Sequence, residues 1–158
     1  MTGAWRSPVY VCACLLVGVG CGEATTEPTA ELFEIAGRYT AMAMGDSEGV
    51  ALAADVLFDL EHEAGDLSGT FAISGTITDG VATLEILGSG DLIGTASSAP
   101  QPAVTVTAHT GICPDHAGTF VGTFFPATGT LRLGGPVDIL GSFCEVVLSF
   151  DVLLELRH

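Results

Sequence analysis

The stretch CEVVLSFDVLLELRH, residues 144–158, alternates apolar and polar side chains along nearly its whole length. In an extended chain, successive side chains point to opposite faces, so this pattern predicts a long β-strand with one buried face. The other face is mostly polar or charged, with Val147 and Leu153 as exceptions. The predicted inward residues are Cys144, Val146, Leu148, Phe150, Val152, Leu154 and Leu156.

Shorter runs of the same kind, rich in Thr, Val and Ile and broken by Gly, fill most of the chain after residue 64. Residues 71–77 alternate in this way, and Asp79-Gly80 then forms a favoured tight-turn pair before residues 81–87 return. Residues 118–125 and 130–134 likewise predict two paired strands, joined by a turn that contains Pro and Gly. These runs predict consecutive antiparallel hairpins.

One segment leaves two interpretations open. Residues 50–63, VALAADVLFDLEHE, fit a strand pair or a short helix, because Leu52, Val56 and Leu60 recur at a spacing of four. The neighbouring runs favour strands. The predicted fold is therefore all-β, with residues 32–158 forming a single domain. We expect an antiparallel up-and-down meander of about 8–10 strands that forms a barrel or a sandwich.

The first twenty residues differ from the rest. Residues 9–20 are apolar or small, and Arg6 is the only charged residue that precedes them. A membrane-spanning helix needs about 20 apolar residues, so the run is too short to be one. It is typical of the central region of a secretory signal, which predicts a signal peptide over residues 1–20.

This signal ends in Gly18-Val19-Gly20-Cys21, which resembles the lipobox of bacterial lipoproteins, although Gly18 stands where that family usually has Leu. The resemblance implies cleavage before Cys21, lipidation of that cysteine and attachment to a membrane of the cell envelope. Gly22 after the cysteine favours the outer membrane. A second lipobox-like stretch ends at Cys14, and a secretory signal cut without lipidation is the other alternative. Residues 21–31 are polar and predict a flexible tether.

The charge of the chain is strongly acidic. Residues 21–158 hold all nineteen acidic residues against three arginines, a net charge of −16, and the chain contains no lysine. Such a surface repels nucleic acid, so nucleic-acid binding is not expected. The predicted partners are a membrane, reached through the N-terminal lipid, and a protein or small molecule whose identity the sequence leaves open.

Cys113 and Cys144 are the two cysteines left once Cys21 is lipidated and the signal is removed. In an exported chain such a pair most often forms a disulfide. Cys113, Asp115 and His116 also lie close enough in sequence to suggest a metal site. A cysteine in a disulfide cannot act as a thiolate ligand, so the prediction is a disulfide and no metal. No sequence feature calls for a cofactor.

No nucleophile motif or phosphate-binding loop is found in the sequence, and we predict that the protein is not an enzyme. Gly37-Arg38-Tyr39 resembles the first-strand motif of lipocalins, with Tyr in place of Trp, and Arg157 lies where that family has an arginine that packs on the aromatic ring. The resemblance implies an internal cavity for a small apolar molecule. The alternative is a filled core. The candidate cavity residues are Tyr39, Phe71, Phe120, Phe124 and Phe150.

Taken whole, the chain resembles bacterial lipoproteins that carry a Gly/Thr-rich β domain, an architecture that implies no particular activity. Two functions are therefore expected from the sequence. The first is a lipid-anchored binding or interaction module of the cell envelope. The second is a lipocalin-like carrier of a small hydrophobic ligand.

Overall fold

A computed structural model of the chain describes residues 33–158, which form eight antiparallel strands closed into a barrel. Each strand is hydrogen-bonded to the next along the chain, and β8 returns to pair with β1. The predicted all-β meander is therefore confirmed, and its form is a barrel. No helix within residues 33–158 has the length and apolar character needed to cross a membrane. The strands are β1 (Gly37–Ser47), β2 (Val50–Glu63), β3 (Asp66–Thr78), β4 (Thr83–Ala96), β5 (Ala103–Thr110), β6 (Ala117–Phe125), β7 (Thr130–Leu140) and β8 (Val146–Arg157).

The meander gives the barrel two distinct ends. The closed end carries the β2–β3, β4–β5 and β6–β7 connections, together with residues 33–36 and His158. The open end carries the β1–β2, β3–β4, β5–β6 and β7–β8 connections. Since β1 begins at the closed end, the chain enters the barrel there.

The segment Val50–Glu63, which also fits a helical pattern, is the strand β2. Its even-numbered residues from Leu52 to Leu60 are buried, and the residues between them are largely exposed. The backbone N–H and C=O groups of β2 form hydrogen bonds with β1 on one side and β3 on the other. This pairing outweighs the helix-like spacing of its apolar residues. Two-residue turns at Glu48-Gly49 and Ala64-Gly65 end the strand at each side, and all four residues have positive φ. Such turns match the twist of paired strands.

The core lies inside the barrel, where inward residues of all eight strands meet. The outer wall is mostly polar: on β3, Asp66, Ser68, Thr70 and Ser74 all face outward. The largest fully buried side chains include Tyr39, Phe58, Phe150, Ile35, Leu92, Leu131, Leu133, Leu154 and Leu156.

The start of β8 differs from the prediction. Cys144 was expected to begin the inward face of the strand, but it is exposed, has a φ of 62° and precedes the strand. Backbone hydrogen bonds between Gly141 and Glu145, and between Cys144 and Gly141, form a tight loop here. The pairing of β7 with β8 also shifts register between Ile139 and Leu140. Val146, also predicted to face inward, is 49% exposed, so the simple alternation holds only from Leu148 onward.

An aromatic plug fills the closed end. The Tyr39 hydroxyl donates a hydrogen bond to the Ile35 carbonyl oxygen, 2.9 Å away, and both residues are fully buried. Burial raises the pKa of Tyr39 to about 12. The ring of His158 packs on Tyr39, with centroids 4.2 Å apart. The expectation that Arg157 packs on this aromatic ring is wrong, because Arg157 occupies an outward position and its guanidinium pairs with Glu155.

Candidate functional site

The barrel wall is incomplete at the open end because the β5–β6 hairpin is shorter than its neighbours. The β4–β5 ladder reaches only as far as Gly90, so residues 83–89 of β4 extend beyond it. The β6–β7 ladder ends at the Val121–Gly134 pair, and residues 135–140 of β7 extend beyond that pair. The two long hairpins therefore stand on either side of a gap above the β5–β6 loop.

A cavity of about 370 Å³ lies below this gap. This volume falls within the range of about 300–1,000 Å³ typical of small-molecule sites. Its walls are mainly apolar and come from strands β2 to β8. Among its apolar lining residues are Val56, Phe58, Phe71, Ile73, Leu84, Ile86, Ala108, Ile112, Phe120, Val137, Ile139 and Leu154.

The five predicted cavity residues divide into two groups. Phe71 and Phe120 line the cavity. Tyr39, Phe124 and Phe150 are buried in the filled part of the barrel and do not line it. The interior is thus packed toward the closed end and, at the open end, on the β1 side where Phe150 lies beside Gly45; it is hollow on the opposite side of the open end.

Small inward residues explain why the cavity lies on this side of the barrel. Gly88, Ala108 and Gly118, on three successive strands, line it and leave the volume that larger side chains fill elsewhere. Phe58 and Phe120 also line it, and their rings meet edge to face with centroids 6.3 Å apart. The small residues leave the space empty, and the rigid aromatic rings bound it. The apolar space is therefore preformed.

The predicted disulfide between Cys113 and Cys144 is confirmed, with Cα atoms 5.7 Å apart. It joins the β5–β6 loop to the β7–β8 loop across one side of the gap. Cys113 lines the cavity and is only 4% exposed. The Thr110 hydroxyl group donates a hydrogen bond to the Cys113 carbonyl oxygen, so the loop is held at both its start and its middle.

His116 connects the β5–β6 loop to one side of the gap, strand β7. Its Nε2 atom lies 3.0 Å from Asp138 Oδ2, and the Ser149 hydroxyl donates to the other oxygen of that carboxylate. In a nucleophilic triad the histidine lies between serine and carboxylate, whereas here the carboxylate lies between the other two. The trio therefore ties β6, β7 and β8 together. Within residues 33–158, no group of three or more His, Cys, Asp and Glu side chains is placed to hold a metal ion.

The open-end loops combine exposed apolar side chains with carboxylates. Val81, Ile112 and Phe143, one in each of three loops, are 95%, 85% and 91% exposed. The carboxylate of Asp79 accepts hydrogen bonds from the backbone N–H groups of Ala82 and Val81, which lower its pKa. The rim is therefore apolar and negatively charged at neutral pH.

The sequence analysis missed the cavity residues outside the aromatic set. Gly88, Ala108 and Gly118 carry no chemical motif, and only their inward position on neighbouring strands links them. Asp138, 22 residues from His116, was also missed. The small residues come together only when neighbouring strands are paired in the correct register. That register depends on the lengths of the hairpins, which the sequence did not define.

Comparison with protein-family models, with curated proteins and with solved structures gives no match. The evidence for function therefore comes from the cavity and its surroundings. The predicted signal peptide, the lipidation site Cys21 and the tether lie outside the described residues.

Proposed function

We propose that the protein binds a small apolar molecule in the open end of its barrel. The observation that supports this proposal is the cavity of about 370 Å³, which is lined mainly by apolar side chains and opens through a gap in the wall. Burial of apolar ligand surface would supply the binding free energy, at about 25 cal/mol per Å². Of the two functions expected from the sequence, this geometry favours the carrier.

We also propose that the protein acts in the cell envelope, attached to a membrane through lipid on Cys21. The Cys113–Cys144 disulfide supports a location outside the cytoplasm, because structural disulfides persist in oxidising compartments. The chain enters the barrel at the closed end, and this topology is compatible with a tether that leaves the open end accessible.

A titration of the purified protein with a neutral fluorescent apolar probe, such as N-phenyl-1-naphthylamine, tests the cavity. The side chain of Ala108 faces the cavity, so Ala108→Leu should fill part of it and weaken probe binding by at least about tenfold. Ala103→Leu is the matched control, because Ala103 lies on the same strand but faces outward and is exposed. Equal binding by the two variants would overturn the proposal.

A further inference from the structure

The charges of the described barrel are distributed unevenly between its two ends. The three arginines of residues 33–158, Arg38, Arg132 and Arg157, lie on outward positions near the closed end. All three are paired with carboxylates: Arg38 with Asp59, and both Arg132 and Arg157 with Glu155. Their positive charge is therefore both distant from the open end and locally neutralised.

The open end of the described barrel carries carboxylates and no arginine. Each of the four connections at this end contains one acidic residue. These are Glu48, Asp79, Asp115 and Glu145. Glu85, an exposed residue at an outward position of β4, adds a fifth carboxylate beside the cavity. A cleft with low-dielectric walls and charges of one sign concentrates the electric field, so a ligand entering here meets a negative potential.

We propose that the ligand of this cavity is an amphiphile with a cationic head, such as an alkyl amine. The inference rests on the proposed function and adds the chemical class of the ligand. The apolar tail would occupy the space between Phe58, Phe71 and Phe120. The head would remain at the entrance near Glu85 and the loop carboxylates, where an anionic head would be repelled.

Three probes with the same tail test this inference: dodecylammonium, dodecanol and dodecanoate, each used below its micelle-forming concentration in isothermal titration calorimetry. We expect dodecylammonium to bind about tenfold more tightly than dodecanoate at low salt, with dodecanol between them. The difference should shrink as salt is added, because exposed charges are screened over about 10 Å at 0.1 M ionic strength.

Two double variants locate the charge effect. Glu85→Gln with Asp115→Asn removes charge at the open end and should weaken dodecylammonium binding several-fold while leaving dodecanol binding unchanged. Glu61→Gln with Asp66→Asn makes the same chemical change at exposed outward positions of the closed end and should have little effect.

The outcomes separate this inference from the proposed function. Equal affinity for the ammonium and the carboxylate probe, or tighter binding of the carboxylate, would overturn the inference and leave apolar binding intact. If none of the three probes binds, the proposed function itself is wrong and the inference falls with it. A charge preference that the closed-end variant weakens as much as the open-end variant would also overturn the inference.

Discussion

Removal of the Cys113–Cys144 disulfide should strongly destabilise the barrel. The bridge closes a loop with a sequence separation of 31 residues. For a loop of this length, the lost chain entropy of the unfolded state corresponds to a stabilisation of about 3–4 kcal/mol at 25 °C. We therefore expect Cys113→Ala with Cys144→Ala to lower the free energy of unfolding by that amount. The melting temperature should fall by roughly 10 °C for a domain of this size.

Urea denaturation followed by far-ultraviolet circular dichroism measures this effect. The matched control is wild-type protein kept reduced with a phosphine such as TCEP, which breaks the same bridge without removing either sulfur atom or adding atoms at the buried Cys113. The alanine variant can lose more unfolding free energy than the reduced protein does, because Cys113 is almost fully buried. The difference between the two losses then measures the packing of the Cys113 sulfur atom. An unchanged urea midpoint in both samples would refute the reasoning, as would two free thiols in the untreated protein.

Three further predictions concern the anchor, the wall and the acid response. Cys21→Ala should move the protein from the membrane fraction to the soluble fraction, and unchanged fractionation would contradict lipidation at this residue. Gly122→Ala should destabilise the fold by about 3 kcal/mol, since its Cβ would overlap a carbonyl oxygen of β7. Gly134→Ala, whose Cβ would make only ordinary van der Waals contacts, should stay within about 0.5 kcal/mol in urea denaturation. The lowered pKa of Asp79 in the folded protein stabilises the fold above the ordinary value of 3.8, and this contribution is lost as the pH falls through the lower folded pKa. The difference in urea midpoint between wild type and Asp79→Asn should therefore shrink below that pH. A difference that stays constant with pH would show that the negative charge of Asp79 does not contribute to stability.

Much of the fold could be predicted from the sequence because two-residue alternation is a local property. The pattern in β8 depends on a few adjacent residues, and so does the position of the turn at Asp79-Gly80. The turn is longer than the predicted tight turn, however, because it spans Asp79 to Ala82 and β4 begins at Thr83 and not at Val81. The choice between barrel and sandwich could not be made, since both bury one face of every strand. It depends on the pairing of β1 with β8, which joins residues more than a hundred positions apart.

The cavity was less predictable for a physical reason. Aromatic residues were expected to mark it, yet the rings of Tyr39 and Phe124 fill the closed half of the barrel, and Phe150 packs beside Gly45 on the β1 side of the open half. The hollow half arises from the short β5–β6 hairpin and from inward Gly and Ala residues. Neither feature can be located until the strand register is known. The disulfide, in contrast, followed from the predicted signal peptide and a count of the cysteines alone.

The central claim is that the open end of the barrel holds an apolar ligand. Crystals grown with a bromine-labelled alkyl amine test it most directly, because the anomalous signal of bromine locates the tail without reference to any assay. The account predicts a bromine peak inside the cavity, between Phe58, Phe71 and Phe120. A cavity without a peak at saturating ligand, or bromine only on the outer wall, would contradict it.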